Sequence, residues 1–88
     1  MEVVYSSSFI KSIKKIKNTD LLEKIELVIK NVKLANSINE ISNIKKLTGH
    51  KTYFRIKISE YRIGVEITDE LVSFIQFQHR KDIYNKFP

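Results

Sequence analysis

Arg55, Lys57, Arg62 and Arg80 are cations in the last third of an 88-residue chain, with His79 and Tyr84 close behind. Residues of these types suit scission of an RNA strand by its own ribose 2′-hydroxyl. That reaction needs a base for the hydroxyl, cations for the charge that builds on phosphorus, and an acid for the leaving oxygen. Arginines can carry the charge, so the chemistry requires no metal. The plainer reading of the same residues is a basic face that binds nucleic acid without cutting it.

Other chemistries find little support. No Gly-rich phosphate loop and no nucleophile elbow is present. His50 and His79 are the two histidines, and neither has the carboxylate or cysteine neighbours of a zinc site. His50 reads as structural or exposed. Asp69 and Glu70 fall in an expected turn, and the remaining carboxylates are scattered. The absence of cysteine excludes disulfides and thiolate chemistry and fits a cytoplasmic setting. Neither a metal nor a small-molecule cofactor is expected.

The cations must be positioned by strands. Thr52–Ile58 and Tyr61–Ile67 alternate apolar and polar residues, the period of half-buried strands. A two-residue turn at Ser59-Glu60 sets Ile58 against Tyr61, Ile56 against Ile63 and Phe54 against Val65 on one apolar side. The other side then sets Arg55 against Gly64 and Lys57 against Arg62. Opposed like charges destabilise a sheet, so an anion is their natural partner. Ser-Glu is a poor pair for a primed turn, and a longer loop with a slipped register is the competing arrangement. In a third strand, Leu71–Gln78, the parity of Gln76 and Gln78 carries on to Arg80. Ile75, Phe77 and His79 share the opposite parity, which points His79 away from Arg80.

Upstream, Glu2–Tyr5 is β-prone, and Ser6-Ser7-Ser8 offers N-cap oxygens to a helix. Phe9, Ile13 and Ile16 form its stripe with Ile10 beside them, and its lysines read as a solvated face. Asn18-Thr19-Asp20 breaks this helix and caps the next, Asp20 and Glu23 having capping-box spacing. Leu21, Leu22, Ile25, Val28, Ile29 and Val32 make the second apolar face, and Leu27 falls off it. The short break predicts an antiparallel helix hairpin. Residues 35–43 read as loop with a single helical turn. Residues 44–50 lead into the sheet, with Leu47 as anchor and Gly49 at the turn.

The order is β-α-α-β-β-β with a short C-terminal helix or tail. The expected fold is α+β, a single domain over residues 1–88, with a helix pair on one face of a four-stranded antiparallel-type sheet. Apolar content of 42% suits a folded domain, and the +6 formal charge suits an anionic partner, although it also serves plain solubility. The N-terminal residues have neither a basic region nor an apolar core, so no signal peptide or membrane partner is expected.

Lys46-Leu-Thr-Gly49, Tyr53-Phe-Arg-Ile-Lys-Ile58, Glu60-Tyr-Arg-Ile63 and His79-Arg-Lys-Asp-Ile-Tyr84 together resemble the successive motifs of the RelE/ParE toxin superfamily. The resemblance covers nearly the whole chain and implies a microbial-RNase-like fold and a toxin of a type II toxin–antitoxin pair. In the RelE-like branch the toxin enters the ribosomal A site, cuts the messenger RNA and stops translation. The ParE-like branch shares the fold but acts on DNA gyrase without cutting RNA, and a member lacking toxicity is a third reading.

By the same resemblance, Arg55 and Lys57 match paired basic positions and Arg62 matches the arginine after the tyrosine of the next strand. Arg80 matches the basic residue after the third strand, His79 a basic or histidine position, and Tyr84 the closing tyrosine. The step from Arg80 to Tyr84 is shorter than in the best-described nucleases of the family. The resemblance thus implies Arg62 and Arg80 for phosphate charge with Lys57 assisting, and Tyr84 and His79 as acid and base in either order. Arg55, Lys57, Lys45, Lys46 and Lys81 are the expected RNA contacts. A C-terminal aromatic packed on the core is the competing account of Tyr84. The implied partners are a small acidic antitoxin, the ribosome and messenger RNA.

Overall fold

The computed structural model describes all 88 residues. The chain opens with strand β1 (Glu2–Tyr5), then helices α1 (Ser7–Lys14) and α2 (Thr19–Leu34). A 3-10 turn at Ile38–Glu40 precedes β2 (Ile44–Lys46), β3 (Tyr53–Ile58), β4 (Tyr61–Thr68), β5 (Leu71–His79) and helix α3 (Ile83–Lys86). The α+β class is as expected, but the sheet has five strands, in the order β1-β5-β4-β3-β2. It is also mixed, because β1 runs parallel to β5 while the other neighbours are antiparallel. The additional strand is Ile44–Lys46, expected to be a lead-in loop. Three residues are too few for an alternating pattern to show, and it becomes a strand through pairing with β3.

Helix starts follow local chemistry. Ser6 caps α1 by accepting a hydrogen bond from the Phe9 N–H at 3.0 Å. Its hydroxyl donates to the Ile75 carbonyl at 2.6 Å, which ties the helix start to β5. Asn18, rather than Asp20, caps α2, accepting from the Leu21 N–H at 3.1 Å. Asp20 lies in the first turn, where the helix dipole favours its negative charge.

The main core lies between the helices and one sheet face. Phe9, Leu21, Ile25 and Val32 from the helices meet Ile56, Ile63, Val65 and Phe74 from the strands. Leu27 falls outside this core and is 65% exposed. Leu47 joins a second, smaller core with Ile83 and Phe87, against which Tyr53 and Ile75 pack. A bulge makes room for this second core. Gly64 pairs with Gln76 but Val65 pairs with Phe74, so Ile75 has no partner across β4. The extra residue breaks the expected parity of β5, and Ile75 packs with Leu47, Ile83 and Phe87 instead of in the main core.

Candidate functional site

The β3–β4 hairpin takes the short-turn register. Ile58 faces Tyr61, Lys57 faces Arg62, Ile56 faces Ile63 and Arg55 faces Gly64. Ser59 permits the tight turn by adopting a positive φ of 55°, a conformation uncommon for a non-glycine residue. Two cations are therefore held side by side by backbone pairing alone.

Each arginine is held by backbone or by a neighbour. Arg62 Nη1 donates to the carbonyls of Ser59 at 3.0 Å and Tyr61 at 2.8 Å. Arg55 Nη1 donates to the Asn43 carbonyl at 3.2 Å. Arg80 is held by its backbone N–H, which donates to the Glu60 carbonyl at 2.9 Å. Its guanidinium pairs with the Glu60 carboxylate at 2.9 Å, but both side chains are mostly exposed, so that pair adds little stability. The hairpin turn thus serves both Arg62 and Arg80.

Arg55, Arg62, Arg80, Lys81 and Tyr84 line one surface depression of about 430 Å³. The carboxylate paired with Arg80, that of Glu60, is not part of this lining. Tyr84 is 65% exposed, so it does not pack on the core, although Ile83 before it and Phe87 after it are buried. Those two neighbours anchor α3 and leave the phenol pointing outward. Lys57 is exposed next to Arg62 in the register but does not line the depression.

His79 is set apart from this group. It pairs with Tyr61, its ring lies edge-on to Tyr61 at 5.5 Å, and its Nδ1 accepts from the Lys81 N–H at 3.2 Å. It does not line the depression. Parity predicts this separation, because His79 follows Phe77 on the helix side of the sheet. Lys45 and Lys46 line a second depression of about 380 Å³, together with Leu47, Thr48, His50, Phe87 and Pro88. Arg55 and Tyr84 border both hollows. Phe87 and His50 were not legible as site residues, since their place depends on how α3 and the 47–52 loop fold over the sheet. No group of three or more His, Asp or Glu side chains converges as a metal site, and no helix is long and apolar enough to cross a membrane.

No family model matches the chain. It is, however, 35% identical over its full length to the toxin RelE3 of Methanocaldococcus jannaschii, which it also covers completely. This chain belongs to the RelE toxin family. The RelB–RelE antitoxin–toxin complex of Methanococcus jannaschii contains a chain 33% identical to it, with a TM-score of 0.80 and coverage of 97% and 99% of the two chains. The archaeal RelE–RelB complex of Pyrococcus horikoshii is 13% identical, with a TM-score of 0.75 and coverage of 93% and 97%. The YoeB dimer of Staphylococcus aureus is 14% identical, with a TM-score of 0.73 and coverage of 91% and 97%. The last two show a common fold. As a RelE-family toxin, the chain is of the kind found in toxin–antitoxin systems, and the basic hollow around Tyr84 lies on the sheet face opposite its main helices.

Proposed function

We propose that this RelE-family toxin is a ribosome-dependent endoribonuclease that cuts messenger RNA in the A site, acting in the cytoplasm without a metal. The observation that carries this reading is the convergence of Arg55, Arg62, Arg80 and Lys81 around the exposed Tyr84. A phosphodiester in that hollow meets several positive charges next to one group able to move a proton.

In the proposed step, the ribose 2′-oxygen attacks the adjacent phosphorus and loses its proton to a base. The bond from phosphorus to the 5′-oxygen breaks, and that oxygen takes a proton from an acid. The products are a 2′,3′-cyclic phosphate and a 5′-hydroxyl. The arginines stabilise the additional charge on the phosphoryl oxygens, with Lys57 supporting from beside Arg62. Tyr84 carries one of the two protons. His79, outside the hollow, shares this work only if the 79–82 segment turns toward the RNA. The geometry therefore favours Tyr84.

The proposed partner besides the ribosome is a small acidic antitoxin. The RelB–RelE complexes among the relatives support it, as does the +6 charge, since an acidic segment can order itself against a basic face. Leu27 and Leu34, 65% and 71% exposed on α2, are apolar side chains available to such a segment. The RelE names of the relatives also favour messenger cleavage over the gyrase-poisoning alternative. Primer extension on messenger RNA after brief induction tests the reading. Breaks in register with codons are expected, and intact messages alongside broken chromosomal DNA would reverse it.

A further inference from the structure

The sheet carries a second pair of opposed like charges, Lys45 on β2 against Arg55 on β3, besides Lys57 against Arg62. Each pair costs stability unless an anion lies between its members. Of the Lys57–Arg62 pair, Arg62 lines the hollow where the scissile phosphate is proposed to lie. The Lys45–Arg55 pair borders the neighbouring hollow.

We propose that this second hollow is a nucleotide subsite, holding the phosphate and base next to the linkage that is cut, with His50 contacting the base edge. The inference rests on the RNA-cleaving reading and extends it. Lys45, Lys46 and Arg55 form a cationic side, and Leu47, Phe87 and Pro88 an apolar side. A nucleotide has the same division, an anionic phosphate and an apolar π-face, and single-stranded RNA is commonly held by such pairings. The volume of about 380 Å³ falls within the ordinary range for small-ligand pockets. Arg55 and Tyr84 border both hollows, so a strand crossing Tyr84 passes directly from one to the other.

His50 is braced for this role. Its ring lies edge-on to Tyr53 at 5.5 Å, and Tyr53 in turn lies edge-on to Phe87 at 5.3 Å. Its backbone N–H donates to the Leu47 carbonyl at 3.2 Å, and the Leu47 N–H donates to the Tyr53 carbonyl at 2.9 Å. Gly49, at φ 80°, closes the turn that presents it. An exposed histidine held by an aromatic chain offers a hydrogen-bonding edge in a defined place, which is what discrimination among bases needs.

Two measurements test the subsite separately from the cleavage reading. In the first, the protein is titrated by NMR with a single-stranded RNA tetranucleotide carrying 2′-O-methyl sugars, which cannot be cut, and with a mononucleotide. Saturable shifts of the His50 and Phe87 ring signals with the tetranucleotide, at least tenfold weaker with the mononucleotide, are expected. Shifts confined to Arg62 and Arg80, or no shifts up to millimolar RNA, overturn the subsite. In the second, ribosomes carrying messengers that differ at one A-site nucleotide are cut by wild type and by His50→Ala under single-turnover conditions. His50→Ala is expected to narrow the spread of rates among codons about tenfold, while the fastest codon slows less. An unchanged spread, with a wild type that discriminates among codons, overturns the role of His50. If wild type cuts no messenger, the cleavage reading fails and the titration alone decides the subsite.

Discussion

Phe87 lies so close over Gly64 that a Cβ built on the glycine would come within 2.6 Å of the aromatic ring. The contact joins the C-terminal segment to the middle of the cationic sheet face. It also accounts for Arg55 facing a residue without a side chain, because the space above Gly64 is occupied by Phe87. Tyr84, on the short helix α3 that leads into Phe87, owes its position to this contact and to Ile83.

Gly64→Ala is therefore expected to destabilise the protein by about 1–3 kcal/mol, although alanine is ordinarily acceptable in a strand. Phe87 has to move, and Tyr84 with it, so messenger cleavage should fall as well. Thermal unfolding and single-turnover cleavage check both effects, and an unchanged Tm would mean that the ring is not held over the glycine.

Arg62→Ala should reduce cleavage about 100-fold or more, the usual loss when one donor to a developing oxyanion is removed. Stability should change by less than about 1 kcal/mol, because relief of the Lys57 repulsion offsets the lost hydrogen bonds to Ser59 and Tyr61. Urea unfolding beside a primer-extension rate separates the two quantities. Cleavage at the wild-type rate would mean that the site lies elsewhere.

Lys57→Glu sets opposite charges across the strand pair and should stabilise the fold by roughly 0.5–1 kcal/mol. The same change places a carboxylate beside the proposed phosphate position, so RNA cleavage should drop. A variant more stable and less active is the expected outcome, and one that gains neither stability nor loses activity would argue that the pair has no functional cost.

Tyr84→Phe should leave the unfolding midpoint unchanged, since the side chain is 65% exposed, while slowing cleavage. A messenger with sulfur in place of the leaving 5′-oxygen decides its role, because a sulfur leaving group needs little help from an acid. Restored cleavage of that substrate assigns Tyr84 as the acid, and a persistent defect assigns it as the base. His79→Ala, outside the hollow, should slow cleavage less than tenfold.

Binding of single-stranded RNA should weaken with salt. For about four cations near phosphates, the slope of log affinity against log salt should be near −3. Fluorescence anisotropy between low and physiological salt measures it, and a flat response would remove the electrostatic role of Arg55, Arg62, Arg80 and Lys81.

The local features of this protein were legible in its residues. Strict alternation over Thr52–Ile58 and Tyr61–Ile67 determined two strands and placed Arg55, Lys57 and Arg62 on one face, because the side-chain period of a strand is two. The serine run and the Asn18-Thr19-Asp20 break marked both main helix starts, since their side-chain oxygens satisfy free backbone N–H groups there. Long-range pairing decided the rest. That β1 lies parallel to β5, and that Ile44–Lys46 is an edge strand, depends on segments meeting across the fold, which no local pattern encodes. The bulge took Ile75 off the side that it was expected to share with Phe77 and His79, and a single extra residue leaves no mark in composition. The second core of Leu47, Ile83 and Phe87 covers the face that alternation alone would leave bare. Its burial placed Tyr84 between two basic hollows, because those apolar side chains leave water only when α3 folds back over Gly64.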